Sequence, residues 1–152
     1  MMTLTDSIEI KVKPEIVFKW FKNIDRYYKE WHPDHVKWVN ETGGFKVGAI
    51  CYAEEYLCGE LEKLRAKYIE IEKNKKIVYK MLFPTSIICT KGSFIIEPKN
   101  GNSIFTATLT FRGGKILSKL FRSRIEEIKK HQKEEGENLK IILETQNLMR
   151  TS

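Results

Sequence analysis

The feature that most limits what this chain can fold into is a change of period at Gly113-Gly114. From Gly48 to that point apolar and polar side chains alternate, whereas Ile116 to Leu148 contains no proline and keeps a helical period. The alternating part divides into strands at Ile50–Leu57, Leu61–Ile71, Lys76–Phe83, Ile87–Ile96 and Ser103–Phe111. Turn chemistry separates them, notably at Cys58-Gly59-Glu60, Glu72-Lys73-Asn74-Lys75 and Pro98-Lys99-Asn100-Gly101-Asn102. Connections this short predict successive antiparallel hairpins. Upstream, Ile8, Ile10 and Val12 alternate with Glu9 and Lys11 in a strand over Ser7–Val12. Pro14 then opens a helix in which Ile16, Val17, Trp20 and Phe21 share one face, and a second short helix over Asp25–Trp31 ends before Pro33. The chain is therefore read as α+β: a strand, two short helices, about five antiparallel strands and one long helix. A curved sheet with one apolar face needs a cover, and only the long helix is large enough to supply it. Where the two do not touch a cavity remains, stoppered at one end by the short helices.

The length of 152 residues is that of one domain spanning 1–152, able to hold a core without disulfides. No apolar run, Met81-Leu82-Phe83 included, approaches the ~20 residues of a membrane span, so membrane insertion is not expected. The N-terminus has neither a basic nor an apolar leader segment, which predicts a cytoplasmic protein. Three cysteines, Cys51, Cys58 and Cys89, lack CxxC spacing and read as reduced, mostly buried thiols. The net charge of +7 is read as interleaved with acids along the chain, its densest run, Lys73 to Lys76, falling in a turn. No nucleic-acid partner is expected from it.

On the long helix the core-facing stripe runs Leu117, Leu120, Phe121, Arg124, Ile128, His131, Glu135, Leu139 and Ile142. His131 and Glu135, four residues apart, stand one above the other on it. A carboxylate on a buried seam needs compensation, by a hydrogen-bonded imidazole or by a cation. The chain's other two histidines, His32 and His35, lie together between the short helices and the sheet, at the predicted cavity mouth. In the strand Cys51–Cys58, Cys51, Ala53, Glu55 and Leu57 share one face and Ile50, Tyr52, Glu54 and Tyr56 the other, so either Glu55 or Glu54 faces inward. Small neighbours favour Glu55. A loop His, a strand Glu and a helical His–Glu pair form a nitrogen and oxygen donor set suited to Zn²⁺, with Fe²⁺ or Mn²⁺ as alternatives. Asp34, beside His35, could orient a liganding imidazole, cap a helix or stand exposed to solvent.

The opening segment, from Ser7-Ile8-Glu9-Ile10-Lys11-Val12 into Pro14-Glu15-Ile16-Val17-Phe18, and the overall element order resemble the START-like superfamily of polyketide cyclase and birch-pollen-allergen-like domains. That resemblance implies a helix-grip fold. Within the superfamily, Trp31-His32-Pro33-Asp34-His35-Val36-Lys37-Trp38, the Glu54-Glu55 strand and His131-x-x-x-Glu135 resemble the 2,4-diacetylphloroglucinol hydrolase family. The resemblance implies a zinc site of His35, Glu55 (or Glu54), His131 and Glu135, and a pocket tyrosine at Tyr27 that donates a proton or hydrogen bond. Trp38 stands where that family has Asn, which implies a different substrate. The expected function is metal-dependent hydrolysis of a small hydrophobic, carbonyl-bearing compound such as an acyl-phenol or polyketide. The alternative is a non-catalytic carrier for a lipid or other hydrophobic small molecule.

Overall fold

A computed structural model describes residues 1–113 and 122–151. The elements are β1 (Met2–Ile10), α1 (Pro14–Lys22), α2 (Ile24–Trp31), β2 (His35–Thr42), β3 (Ile50–Leu57), β4 (Glu60–Glu72), β5 (Lys76–Met81), β6 (Cys89–Lys99), β7 (Asn102–Phe111) and α3 (Arg122–Thr151). The strands form one antiparallel sheet in the order β1-β7-β6-β5-β4-β3-β2, and α3 packs along β1. This is the α+β helix-grip architecture expected from the alternation and the long helix.

Local chemistry accounts for the elements that position the site. Pro14 occupies the first turn of α1, whose buried face is Val17, Phe18, Trp20 and Phe21. In α2 the buried residues Ile24, Tyr28 and Trp31 recur at helical spacing. Helix α3 buries Leu139 and Leu143 completely, so the stripe turns towards Leu143 where Ile142 was expected. Gly136 lets the helix approach β1 closely: a Cβ there would lie 3.2 Å from Asp6 Oδ2. Buried Gln132 donates to the Ala107 carbonyl at 3.0 Å, fastening the same turn to the sheet. The expected stripe residues Leu117, Leu120 and Phe121 lie outside the described residues.

Three expectations need correction. Strand β2, over His35–Thr42, was not foreseen, because its Val36, Trp38 and Asn40 do not alternate cleanly with polar neighbours and the pairing with β3 is bulged. The expected strand start at Ile87 is instead a 3₁₀ turn over Thr85–Ile87, and β6 begins at Cys89. The first strand runs from Met2 to Ile10, because its ladder to β7 extends to Phe111 and ends at Ser103.

On the inner face of the sheet, Tyr79 of β5 lies opposite Gly92 of β6. A Cβ at Gly92 would sit 2.3 Å from the Tyr79 hydroxyl oxygen and 2.4 Å from Cζ, so the ring needs the missing side chain. Gly92→Ala is therefore expected to lower unfolding free energy in urea by about 1–3 kcal/mol, with most of the loss recovered in Gly92→Ala/Tyr79→Leu.

Candidate functional site

The sheet register brings the first two site residues together. His35, the first residue of β2, is paired directly with Glu55 of β3. Glu55 faces the interior, whereas Glu54 accepts a hydrogen bond from the Tyr52 hydroxyl. Helix α3 brings His131 and Glu135 over the pair, and its angle is held from α2. There Trp31 Nε1–H donates to the Glu135 carbonyl at 2.9 Å, and the Asn138 side chain donates to the Trp31 carbonyl at 3.0 Å.

The result is a tight cluster of four side chains. His35 Nε2 lies 2.9 Å from Glu135 Oε2, 3.3 Å from Glu55 Oε2 and 3.3 Å from His131 Nε2. His131 Nε2 in turn lies 3.3 Å from Glu135 Oε2 and 3.6 Å from Glu55 Oε2. One donor atom from each of the four residues lies within 4.8 Å of all the others.

The hydrogen bonds around the cluster determine which atoms are free. His35 Nδ1 is 2.8 Å from the Tyr28 carbonyl, which can only accept, so Nδ1 carries a proton and Nε2 is the nitrogen turned inward to the cluster. The His35 ring is also stacked on Tyr28, with centroids 3.9 Å apart and planes 6° from parallel. Two imidazole nitrogens at 3.3 Å, facing two carboxylate oxygens, require a proton or a cation between them. His131 Nδ1 is buried and has no hydrogen-bond partner among the described residues. Its nearest carboxylate is Asp34 Oδ2, at 3.9 Å. Asp34 thus stands beside His131, not behind its sequence neighbour His35.

Electrostatics agree with this geometry. Burial alone would lower the His131 pKa, but hydrogen bonds with Glu135 and Glu55 and their negative charges overcome it, pushing the group up to about 10. Burial likewise opposes ionisation of Glu135, yet the hydrogen bonds and charges of His131 and His35 hold its carboxyl down at about 2. Without a metal, a proton on the imidazoles offsets part of the charge of two carboxylates. A divalent cation would neutralise both, and the nitrogen and oxygen donor set fits Zn²⁺, Fe²⁺ or Mn²⁺.

Tyr28, and not Tyr27, reaches the cavity. Tyr27 stacks on Trp20 at 5.8 Å and is not among the residues lining the cavity. Tyr28 lines it and donates its hydroxyl to Glu55 Oε2 at 2.8 Å. Burial, followed by the Glu55 charge and hydrogen bond, raises the Tyr28 pKa far above the usual phenol range, so the group stays protonated. The signal that could have found it is the Ile24, Tyr28, Trp31 spacing, which puts Tyr28 on the buried face of α2. His32 occupies an outer position. Its Nδ1 accepts from the Asp34 backbone N–H at 3.0 Å, leaving Nε2–H to donate to Glu134 Oε1 at 3.1 Å.

The cluster lies against a cavity of about 420 Å³. Phe21, Trp31, Trp38, Tyr68, Tyr79 and Phe94 supply its aromatic walls. Tyr52 and Tyr56, on the other face of β3, are not among its lining residues. Burial pushes the Cys51 thiol up to about 12 and that of Cys89 up to about 11, so both remain thiols beside the cavity. Cys58 is exposed.

The charge cluster sets a pH window for the metal-free protein. The raised His131 contributes stability that is complete below its ordinary pKa of 6.5 and lost as pH climbs through about 10. The depressed Glu135 contributes stability present above its ordinary 4.5 and lost as pH falls through about 2. Chelator-treated protein is therefore expected to melt highest between about pH 4.5 and 6.5, and Glu135→Gln to flatten the acid limb of that profile.

The sequence profile of a family described as polyketide cyclase / dehydrase and lipid transport matches residues 1–141. A search of curated proteins found no match. Among solved structures, the ZhuI aromatase/cyclase from Streptomyces sp. R1128 is 11% identical with a TM-score of 0.74, covering 94% of this chain and 93% of its own. A norcoclaurine synthase point mutant from Thalictrum flavum, solved with a transition state analogue, is 10% identical with a TM-score of 0.76, covering 99% and 96%. Ara h 8.0201 is 17% identical with a TM-score of 0.73, covering 95% and 98%. At these identities the likeness shows the fold, which is START-like. Among the described residues no helix is long and apolar enough to cross a membrane.

Proposed function

The chain belongs to the polyketide cyclase / dehydrase and lipid transport family, and on that premise we propose that it is a metal-dependent hydrolase of a small, hydrophobic, carbonyl-bearing compound of the acyl-phenol or polyketide type. The observation that carries this reading is the convergence of His35 Nε2, Glu55, His131 Nε2 and Glu135 within 4.8 Å at the wall of an aromatic cavity. These four residues would hold the cation, zinc by donor chemistry and iron(II) or manganese(II) otherwise. Bound there, the cation supplies Lewis acidity towards a carbonyl oxygen.

The protein's own residues do the rest. The aromatic walls take a flat ring and exclude bulk water. Tyr28 keeps a proton at its hydroxyl, beside the donor cluster, and is the group we assign as proton donor. Its backbone carbonyl holds the His35 ring in one tautomer. Asp34 is the carboxylate nearest the unpartnered His131 Nδ1. In the proposed reaction water adds to the acyl carbon, the bond from that carbon to the ring breaks, and the ring carbon takes a proton. The products are the deacylated phenol and a carboxylic acid. Three free thiols are consistent with work in the cytoplasm.

A carrier role without metal is the second reading. It is favoured by one observation, that a protonated His131 offsets charge in the cluster without a cation. Metal analysis separates the two. Purified protein supplemented with Zn²⁺, Fe²⁺ or Mn²⁺ is expected to retain about one equivalent, and His131→Ala and Glu135→Ala to lose it. Retention below about a tenth of an equivalent would leave the carrier reading standing. In assays of acetate release from a panel of acyl-phenols, Tyr28→Phe is expected to lower kcat by about 10²–10⁴-fold while Tyr27→Phe leaves it nearly unchanged. No turnover by loaded protein over the whole panel counts against hydrolysis.

A further inference from the structure

The even interleaving of charge expected from the sequence does not hold in its second half. From Lys73 through Gly113 there are seven Lys or Arg and a single acid, Glu97. Their surroundings differ at the two ends of the sheet. Near the β4–β5 and β6–β7 turns, Lys75, Lys76 and Lys99 have partners in Glu72, Glu70 and Glu9. At the opposite end, where β5 passes into β6, Lys80, Lys91 and Arg112 have no carboxylate partner among the described residues.

The register sharpens that contrast. Lys67, Lys80 and Lys91 are directly opposite one another across β4, β5 and β6. Tyr79, next to Lys80, faces the cavity, so the lysine row lies on the outer face of the sheet. Like charges set opposite across strands destabilise a sheet, and among the described residues no carboxylate is paired with this row. Beside it, the connection from β5 to β6 exposes large apolar side chains: Phe83 at 74%, Ile87 at 58% and Ile88 at 40%. Pro84, Thr85 and Ile88 of this connection also line the cavity, and Arg112 is tied to it by its N–H to the Ile88 carbonyl at 2.8 Å.

We propose that the β5–β6 connection docks on an anionic lipid surface, with Phe83, Ile87 and Ile88 entering the headgroup boundary and Lys80, Lys91 and Arg112 facing lipid phosphates, so that the cavity is loaded from the bilayer. An apolar tip beside unpaired cations is the chemistry of interfacial attachment, in which buried apolar area and attraction to anionic headgroups add. The two isoleucines favour acyl chains over nucleobases, which would need stacking faces. Surface attachment of this kind requires no membrane-crossing helix, and it does not depend on the metal reading.

The test is flotation of the purified full chain with vesicles of phosphatidylcholine alone or with about one-third phosphatidylglycerol. The protein is expected to bind the anionic vesicles and to release as salt rises. Both Phe83→Ser/Ile87→Ser and Lys80→Glu/Lys91→Glu are expected to weaken that binding by about tenfold or more, with unchanged melting temperatures as the control for folding. Equal binding to the two vesicle types, or none to either, would overturn the proposal. So would full vesicle binding by the Phe83→Ser/Ile87→Ser variant, which would mark a general polyanion surface. A native dimer that this same variant converts to monomer would show that a second copy covers the patch, and would also overturn it.

Discussion

One helix cannot cover seven strands. At about 4.8 Å per strand the sheet is about 29 Å wide, against about 10 Å for a helix with its side chains. Helix α3 therefore closes on the β1 side, where Gly136 permits near contact, while α1 and α2 plug another part of the concave face. Part of the inner face of β3 to β7 remains uncovered, and that shortfall is the cavity. The apolar side chains that would be core in a fully covered sheet become its walls.

The same geometry explains how a buried charged cluster can sit at the cavity edge. Isolated carboxylates there would be destabilising by several kcal/mol each. Glu55 and Glu135 are held against two imidazoles and the Tyr28 hydroxyl, and the Tyr28 carbonyl orients one of those rings. Every bond that satisfies one member also restricts another, so the four donor atoms have little freedom to separate. A site of this kind is arranged before any ligand arrives, which limits the reorganisation that binding requires.

Much of the site was legible in particular residues, and the failures have physical causes. Four-residue spacing on a proline-free segment put His131 and Glu135 on one face, and strand alternation grouped Glu55 with Cys51 and Ala53. His35 could be located only as a loop residue, because strand β2 is bulged and its pattern carries no clean alternation. Tyr28 was passed over for Tyr27, though its place between Ile24 and Trp31 marks the buried face of α2. The lysine row across β4, β5 and β6 is invisible in one dimension, since Lys67, Lys80 and Lys91 are far apart along the chain.

The sequence by itself determined the α+β class, the long covering helix and the residue types available as ligands, because periodicity and composition are local properties of the chain. Tertiary structure alone decided which histidine meets which carboxylate, which tyrosine touches them, and where positive charge gathers beside an apolar tip. Those outcomes depend on strand register and on the position of α3 over the sheet. Both are set by contacts between residues distant in sequence, where local pattern holds no information.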